Sequence, residues 1–139
     1  MNAANLVGSW KLRLIQVEAA DTGLRTDLYG PHPVGRLIIA ANGRLNAVIT
    51  AGGRAPPKED SDGATLFKSM MAYSGRYRIE GDKFITSVDT AWHPGWVATE
   101  QVRFFTLVDD VLSIRSALQT HPNFPGQQLY GIIEWQREG

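Results

Sequence analysis

The chain has 139 residues, a length that fits one domain, and such a chain buries roughly two thirds of its unfolded surface, enough for one core. Its 14 Lys and Arg balance 14 Asp and Glu, so there is neither a basic excess to release counterions from a polyphosphate nor an acidic tail, and nucleic acid is not expected as a partner. Cysteine is absent, which removes disulfides, thiolate nucleophiles and thiolate-bound metals together and points to a reducing compartment, the cytoplasm.

The amino terminus, MNAANLVGSWKL, carries neither a basic leader region nor a long apolar one, and no segment approaches the roughly 18 apolar residues that span a bilayer. The expectation is a soluble, unprocessed single domain over residues 1–139, without membrane contact; a homodimer is left open. From Leu6 to Val17, Trp10, Leu12 and Leu14 alternate with Lys11 and Arg13, the period-two pattern of a strand with one dry face. Asp21-Thr22-Gly23 turns the chain, Leu24 to Leu28 can pair back, and Tyr29-Gly30-Pro31-His32-Pro33 is a stiff loop because its prolines fix φ and lack amide donors. Val34 to Ala41 is a second long strand. Asn42-Gly43 is the strongest hairpin signal, suited to a type I′ turn with positive φ at both residues, and Arg44 to Thr50 returns from it.

Ala51 to Asp60, with two glycines and two prolines, is a loop. Ser61-Asp62 can cap a helix running to about Tyr73, with Leu66, Phe67, Met70 and Met71 on one apolar face. Strands follow at Gly75 to Glu80, Lys83 to Ala91, Trp96 to Leu107, Val111 to Leu118 and Gln128 to Arg137, parted by Gly81-Asp82, His93-Pro94-Gly95, Asp109-Asp110 and a loop from Thr120 to Gly126. Short strands joined by sequential hairpins, with one helix, favour an up-and-down antiparallel barrel, which removes the exposed edges of an open meander and has room inside for side chains or one small ligand.

Gly8-x-Trp10, Tyr29-Gly30-Pro31 followed by Gly35, Ala41-Asn42-Gly43-Arg44, Ala72-Tyr73-Ser74-Gly75-Arg76-Tyr77 and Pro94-x-Trp96-Val97-x-Thr99-Glu100-Gln101-Val102-Arg103 occur in this order along nearly the whole chain. In these motifs the chain resembles the small bacterial and fungal lipocalin-like domain family. The resemblance implies an all-β, antiparallel up-and-down barrel of 8–10 strands with an apolar, often aromatic-lined cavity, closed at one end by the first-strand Trp and with one short helix covering an end. Members of that family often carry His in the strand before the central turn; this chain has Thr86-Ser87-Val88 there, so a proton transfer assigned to that His does not carry over. Ser87 keeps a hydrogen-bonding group at that place.

Alternation puts Thr99, Gln101, Arg103 and Phe105 on one face of their strand and Trp96, Glu100 and Phe104 on the other, and the resemblance favours the Arg103 face as the interior. An interior guanidinium requires a partner. Arg103 with Thr99 and Gln101 either anchors a ligand carboxylate, enolate or carbonyl, or serves the closed end of the barrel; Arg137 beside Trp135 is the better residue to lie over Trp10. His93, in a turn at the barrel mouth, is either a general acid or base or simply solvated, and His32 and His121, each beside proline, are treated alike. The three histidines lack metal-ligand spacing, and no metal is expected. Tyr29, Tyr73 and Tyr77 either present phenols to the cavity or fill it with their rings. Phe67 and Met71 belong to the underside of the helix, and Trp92 and Trp96 to the rim. Glu100 and Asp89 flank the central turn and are expected outside.

No GxSxG and no glycine-rich phosphate loop occurs, so phosphoryl transfer and dinucleotide chemistry are disfavoured and no cofactor is expected. Three readings stand. The first is a module that binds a small hydrophobic or amphipathic molecule, with Tyr29, Phe67, Met71, Tyr73, Tyr77, Ser87, Trp92, Trp96, Thr99, Gln101, Arg103 and Phe105 as the lining. The second is a cofactor-free isomerase, cyclase, lyase or hydratase using the same cavity with Arg103, Tyr77 and His93. The third is an interaction domain with a filled barrel.

Overall fold

A computed structural model describes residues 6–121 and 123–139. Residues 1–5, read above as an unprocessed amino terminus, lie outside the described residues. The elements are β1 (Gly8–Ala19), β2 (Arg25–Asp27), β3 (Val34–Ile39), β4 (Arg44–Thr50), α1 (Asp60–Lys68), β5 (Met70–Glu80), β6 (Lys83–Ala91), β7 (Glu100–Val108), β8 (Val111–Ser116), β9 (Gln119–His121) and β10 (Phe124–Arg137). From β3 to β8 each strand pairs antiparallel with the next, and β1 pairs with both β3 and β10, which closes an eight-stranded barrel. The short β2 and β9 are additions on β1 and β10. Closure leaves the long strands without a free edge, as expected for such a meander. Among the described residues no helix is long and apolar enough to cross a membrane.

β1 departs from simple alternation. Its register against β10 slips between Leu12 and Leu14, so the buried series runs Trp10, Leu12, then Ile15 and Val17, and Leu14 drops out of it. Such a bulge places Arg13 as the extra residue and re-aims the half of the strand nearer the mouth. β1 also changes partner: Gly8 to Lys11 pair with β3, whereas Gln16 to Glu18 pair with β2. Leu28 and Tyr29 complete the wall between them, the Leu28 amide donating to the Ile15 carbonyl at 3.3 Å.

The two ends of the barrel differ in their connections. At one end are the short turns between β3 and β4, β5 and β6, and β7 and β8; at the other are the long segments 20–33, 51–69, 92–99 and 117–123. The type I′ geometry expected at Asn42-Gly43 occurs instead at Asp109-Asp110, with φ of 50° and 62°. Between β3 and β4 only Gly43 has positive φ, at 89°, and the Ala40 to Gly43 turn closes with Gly43 N–H on the Ala40 carbonyl at 3.2 Å. Its four residues, rather than two, relieve Asn42 of the left-handed conformation.

The short-turn end is plugged. Trp10 is 0% exposed, and its indole N–H donates to the Leu6 carbonyl at 3.0 Å. The Arg137 guanidinium lies 4.3 Å from the centre of the Trp10 ring and donates to the Val7 carbonyl at 2.9 Å and to the Asp110 carboxylate at 3.0 Å. Arg137 therefore takes the place expected of it over Trp10. Above this plug, Leu37, Ile39, Leu45, Ile49, Phe84, Phe105, Leu112 and Trp135 fill the lower barrel.

α1 is shorter than its apolar spacing predicted, ending at Lys68 rather than near Tyr73. Ser69 ends it, with its amide and hydroxyl both on the Leu66 carbonyl, while Met70 pairs with Thr50 and Met71 with Ile49 in the β4–β5 ladder. The edge of β4 supplies backbone partners for these residues, which outweighs the helical spacing of their side chains. At the start, the Asp62 carboxylate accepts the amides of Lys58 and Glu59, so the cap is Glu59, two residues before Ser61. No residue of α1 is fully buried, and Phe67 is 40% exposed.

Candidate ligand cavity at the barrel mouth

The inward face of β7 is the one bearing Gln101, Arg103, Phe105 and Leu107; Val102, Phe104 and Val108 point outward and are exposed. Register carries the interior across the neighbouring strands, pairing Arg103 with Phe84 and Ser116, and Gln101 with Thr86. Toward the mouth the interior presents the small residues Ser116 and Gly131. The space they leave is a cavity of about 580 Å³, within the range of small-molecule sites. Its wall includes Ile15, Val17, Met71, Ile114, Ile132 and Ile133, with aromatic side chains at the rim and, interspersed, polar ones that make up nearly half of the lining residues, Gln16, Thr99, Gln101, Arg103 and Gln119 among them.

The rim is assembled by backbone bonds to the ends of β5 and β6. Trp92 N–H donates to the Ala72 carbonyl at 2.9 Å, and the Trp92 indole donates to the Phe67 carbonyl at 3.1 Å, tying the last turn of α1 to the barrel. Val88 bonds Ala98 and Thr99 at 2.9 Å each, and Ala98 takes a φ of 65°. This departure from extended backbone is why 96–99, expected as strand, is a 3-10 segment at Pro94–Trp96 followed by a turn at Val97 and Ala98, with β7 beginning at Glu100. Trp92 and Trp96 meet edge to face at 4.8 Å, Phe67 lies 5.9 Å from Trp92, and Tyr73 lies 5.6 Å from Trp96.

Of the residues expected to line the site, Tyr29, Phe67, Met71, Trp92, Trp96, Thr99, Gln101 and Arg103 surround this cavity, and His93 stands with them. Tyr73 lies behind Trp96, within electrostatic range of Arg103. Three are placed elsewhere. Phe105 is in the core below, edge to face with Phe84 at 6.3 Å, and Tyr77 stacks on Phe84 at 5.3 Å in the same layer. Ser87 faces the outside of the barrel and donates to the Glu100 carboxylate at 3.1 Å. The inward hydroxyl of that strand is on Thr86, 2% exposed, one residue away, because side chains alternate along β6. Residues that sequence reading did not single out, Gln16, Ser116, Gln119, Thr120 and Asn123, also border the cavity. The signal for Gln119 and Thr120 was the β8–β10 connection at the same barrel end as His93; treating 120–126 as a plain loop concealed β9.

Both acids flanking the central turn lie outside, as alternation predicted. Glu100 accepts from Arg78 at 2.8 Å and Asp89 from Arg44 at 3.0 Å, and these arginines hold both carboxylates below their ordinary pKa. Arg103 differs. It makes one hydrogen bond, to the carbonyl of adjacent Val102 at 3.0 Å, and no carboxylate among the described residues pairs with it. Burial pushes its pKa down; a guanidinium keeps its proton in proteins, so it is a cation in the wall. Burial also pushes the Tyr29 phenol up to about 12 and raises the Tyr73 phenol, so both remain O–H donors at neutral pH.

His93 and His121 face the mouth, and each accepts a backbone amide on Nδ1, from Gly95 at 2.9 Å and from Asn123 at 3.0 Å. In the neutral ring this fixes the proton on Nε2. Burial lowers the His121 pKa, so the unfolded chain binds that proton more readily than the folded one. Stability is therefore expected to fall as pH drops through about 6.5, the unfolded value, toward the lower folded value. Thermal melts at pH 7.5 and 5.5 check this: His121→Gln reduces the acid-induced decrease in Tm, and an equal decrease in both proteins removes His121 as its cause. His32 instead borders a second, shallower cleft formed by the 28–34 and 51–53 loops and the end of α1.

Strand order, closure and the Trp10–Arg137 plug together define a lipocalin-like barrel. The model of the lipocalin-like domain family matches residues 7–138, and the chain belongs to that family. Comparison with curated proteins gave no match.

Proposed function

We propose that this barrel binds one small hydrophobic or amphipathic molecule through its mouth, with the apolar body against Met71, Ile114, Ile133 and the Trp92–Trp96 pair and a polar group on Arg103. The observation that carries this reading is a cation in the wall of a 580 Å³ cavity with no carboxylate of the described chain to neutralise it. A guanidinium held among apolar groups needs a counter-charge or strong acceptors, and a ligand supplies them. The interaction-domain reading, which required a filled barrel, has less support because the mouth half contains space. The enzyme reading shares the cavity, but each rim histidine has Nδ1 engaged and in its neutral form offers a donor rather than a base, and Tyr77 belongs to the core layer.

Native mass spectrometry of protein purified from its own host is expected to show a retained molecule of a few hundred daltons, and the neutral dye N-phenylnaphthylamine to bind with a rise in fluorescence. Met71→Trp, which fills the cavity from β5, should abolish both while far-UV circular dichroism is kept. Empty wild-type protein that ignores the dye, or dye binding untouched by Met71→Trp, overturns the reading.

A further inference from the structure

Strand register brings a row of polar side chains onto one wall of the cavity. Arg103 of β7 is paired with Ser116 of β8, and both side chains point inward, so their Cβ atoms stand about 5 Å apart. On the next strand, β10, the neighbour of Ser116 is Gly131, whose amide donates to the Ser116 hydroxyl at 2.7 Å. A Cβ at Gly131 would stand 3.4 Å from both the Ser116 Oγ and the Gln119 Nε2. The Gln119 amide therefore reaches back from β9 across the glycine and comes beside Ser116. Arg103, Ser116 and Gln119 all line the cavity, and the row spans two strand spacings, roughly 10 Å of wall from β7 to β10.

The two ends of this row are open to a ligand. Arg103 uses one N–H, on the Val102 carbonyl, and the Gln119 amide makes no hydrogen bond among the described residues. Ser116 between them is engaged twice, donating to the Ala117 carbonyl at 2.8 Å and accepting from Gly131. One side-chain layer nearer the closed end lie Ile114 and Ile133, paired with each other, and Met71 comes from β5, four strands round the barrel from β10. The polar level is thus a row across the cavity above an apolar floor, rather than a point at its bottom.

We propose that this row receives a carboxylic acid bearing a hydroxyl at its far end, with the carboxylate on Arg103, the hydroxyl on the Gln119 amide and the apolar body lying crosswise between Met71 and the floor. This deepens the cavity reading above and rests on it. A carboxylate matches the guanidinium in charge and in its pair of acceptor oxygens. Of the other charged groups bordering the cavity, Lys68 is exposed at the end of α1 and Glu100 is held by Arg78 at 2.8 Å, so Arg103 sets the charge at this level. The Gln119 amide presents N–H donors and a carbonyl acceptor, and a hydroxyl is the small neutral group that answers both. A hydrocarbon end placed there would strip water from the amide and return no hydrogen bond.

Calorimetric titration of the full chain with 6-hydroxy-2-naphthoate, 2-naphthoate and 2-naphthol tests the two ends separately. The hydroxy acid is expected to bind about tenfold or more tighter than 2-naphthol, the worth of a charge-assisted hydrogen bond, and about fivefold tighter than 2-naphthoate, the worth of a neutral one. Gln119→Leu should abolish the preference for the hydroxyl, and Arg103→Met the preference for the acid. If Arg103→Met does not fold, the wild-type ranking and Gln119→Leu decide. A hydroxy acid that binds no tighter than either simpler compound, or a preference that survives its variant, overturns the proposal and leaves the cavity reading intact. If none of the three binds, the proposal falls as well, and the dye and mass measurements decide the cavity itself.

Discussion

Trp10→Ala is expected to lower the free energy of unfolding by about 3–5 kcal/mol, the range for truncating a fully buried aromatic side chain. Domains of this size have a total stability of about 5–15 kcal/mol, so the variant would stand close to the folding threshold. The loss has three parts. The indole leaves a void under the lower core, the Leu6 carbonyl loses its donor, and Arg137 loses the ring face it covers. Urea unfolding measures the sum as a shift of the midpoint. Arg137→Met removes the third part together with the bonds to the Val7 carbonyl and the Asp110 carboxylate, and about 1–2 kcal/mol is expected for the three. A Trp10→Ala midpoint shift no larger than that of Arg137→Met would show that the plug is not a main source of stability.

Gly75→Ala is expected to cost about 3 kcal/mol, at the upper end of overpacking effects. A Cβ built there stands 2.2 Å from the Ser87 carbonyl oxygen, and since that atom is backbone no rotamer change relieves it. The register of β5 against β6 shifts at this place, between Ser74 and Gly75, so the bulge must open. Gly81→Ala provides the comparison: its φ is 63° but a Cβ there meets nothing within 4 Å, and about 1–2 kcal/mol of left-handed strain is all that is expected. If urea midpoints rank the two variants the other way, the contact is softer than its geometry. Gly75 lies between Tyr73 and Tyr77 on β5, so the same variant should also disturb whatever the cavity holds.

The barrel was legible because its determinants are local and repeated: period-two alternation, turn residues at short intervals, and motifs in order along the chain. Alternation divided β7 into two faces without saying which is inside; the family resemblance favoured the Arg103 face, and the burial of Phe105 bears it out. What escaped sequence reading depended on non-local partners. Met70 and Met71 have helical spacing, and only the edge of β4 reveals them as strand. Asp109-Asp110 carries the left-handed turn without a glycine, because two-residue closure between β7 and β8 demands it. Ser87 was taken for the inward hydroxyl in place of Thr86, since a shift of one residue inverts a strand's faces. Tyr77 was favoured over Tyr73 from the same strand, and both point inward; depth along the barrel separates them, and depth has no sequence signature.

The division of connections between the two ends has a consequence for how such a protein changes over generations. Residues that plug the closed end, Trp10, Arg137 and Asp110, lie at the opposite end of the barrel from the segments 51–69 and 92–99 that frame the mouth. Insertions and substitutions in those segments alter what the cavity admits while the frame is maintained elsewhere in the chain. Ligand preference can therefore diversify at little risk to foldability, and the same separation makes the mouth segments the place to randomise when the barrel is used as a scaffold for new small-molecule receptors.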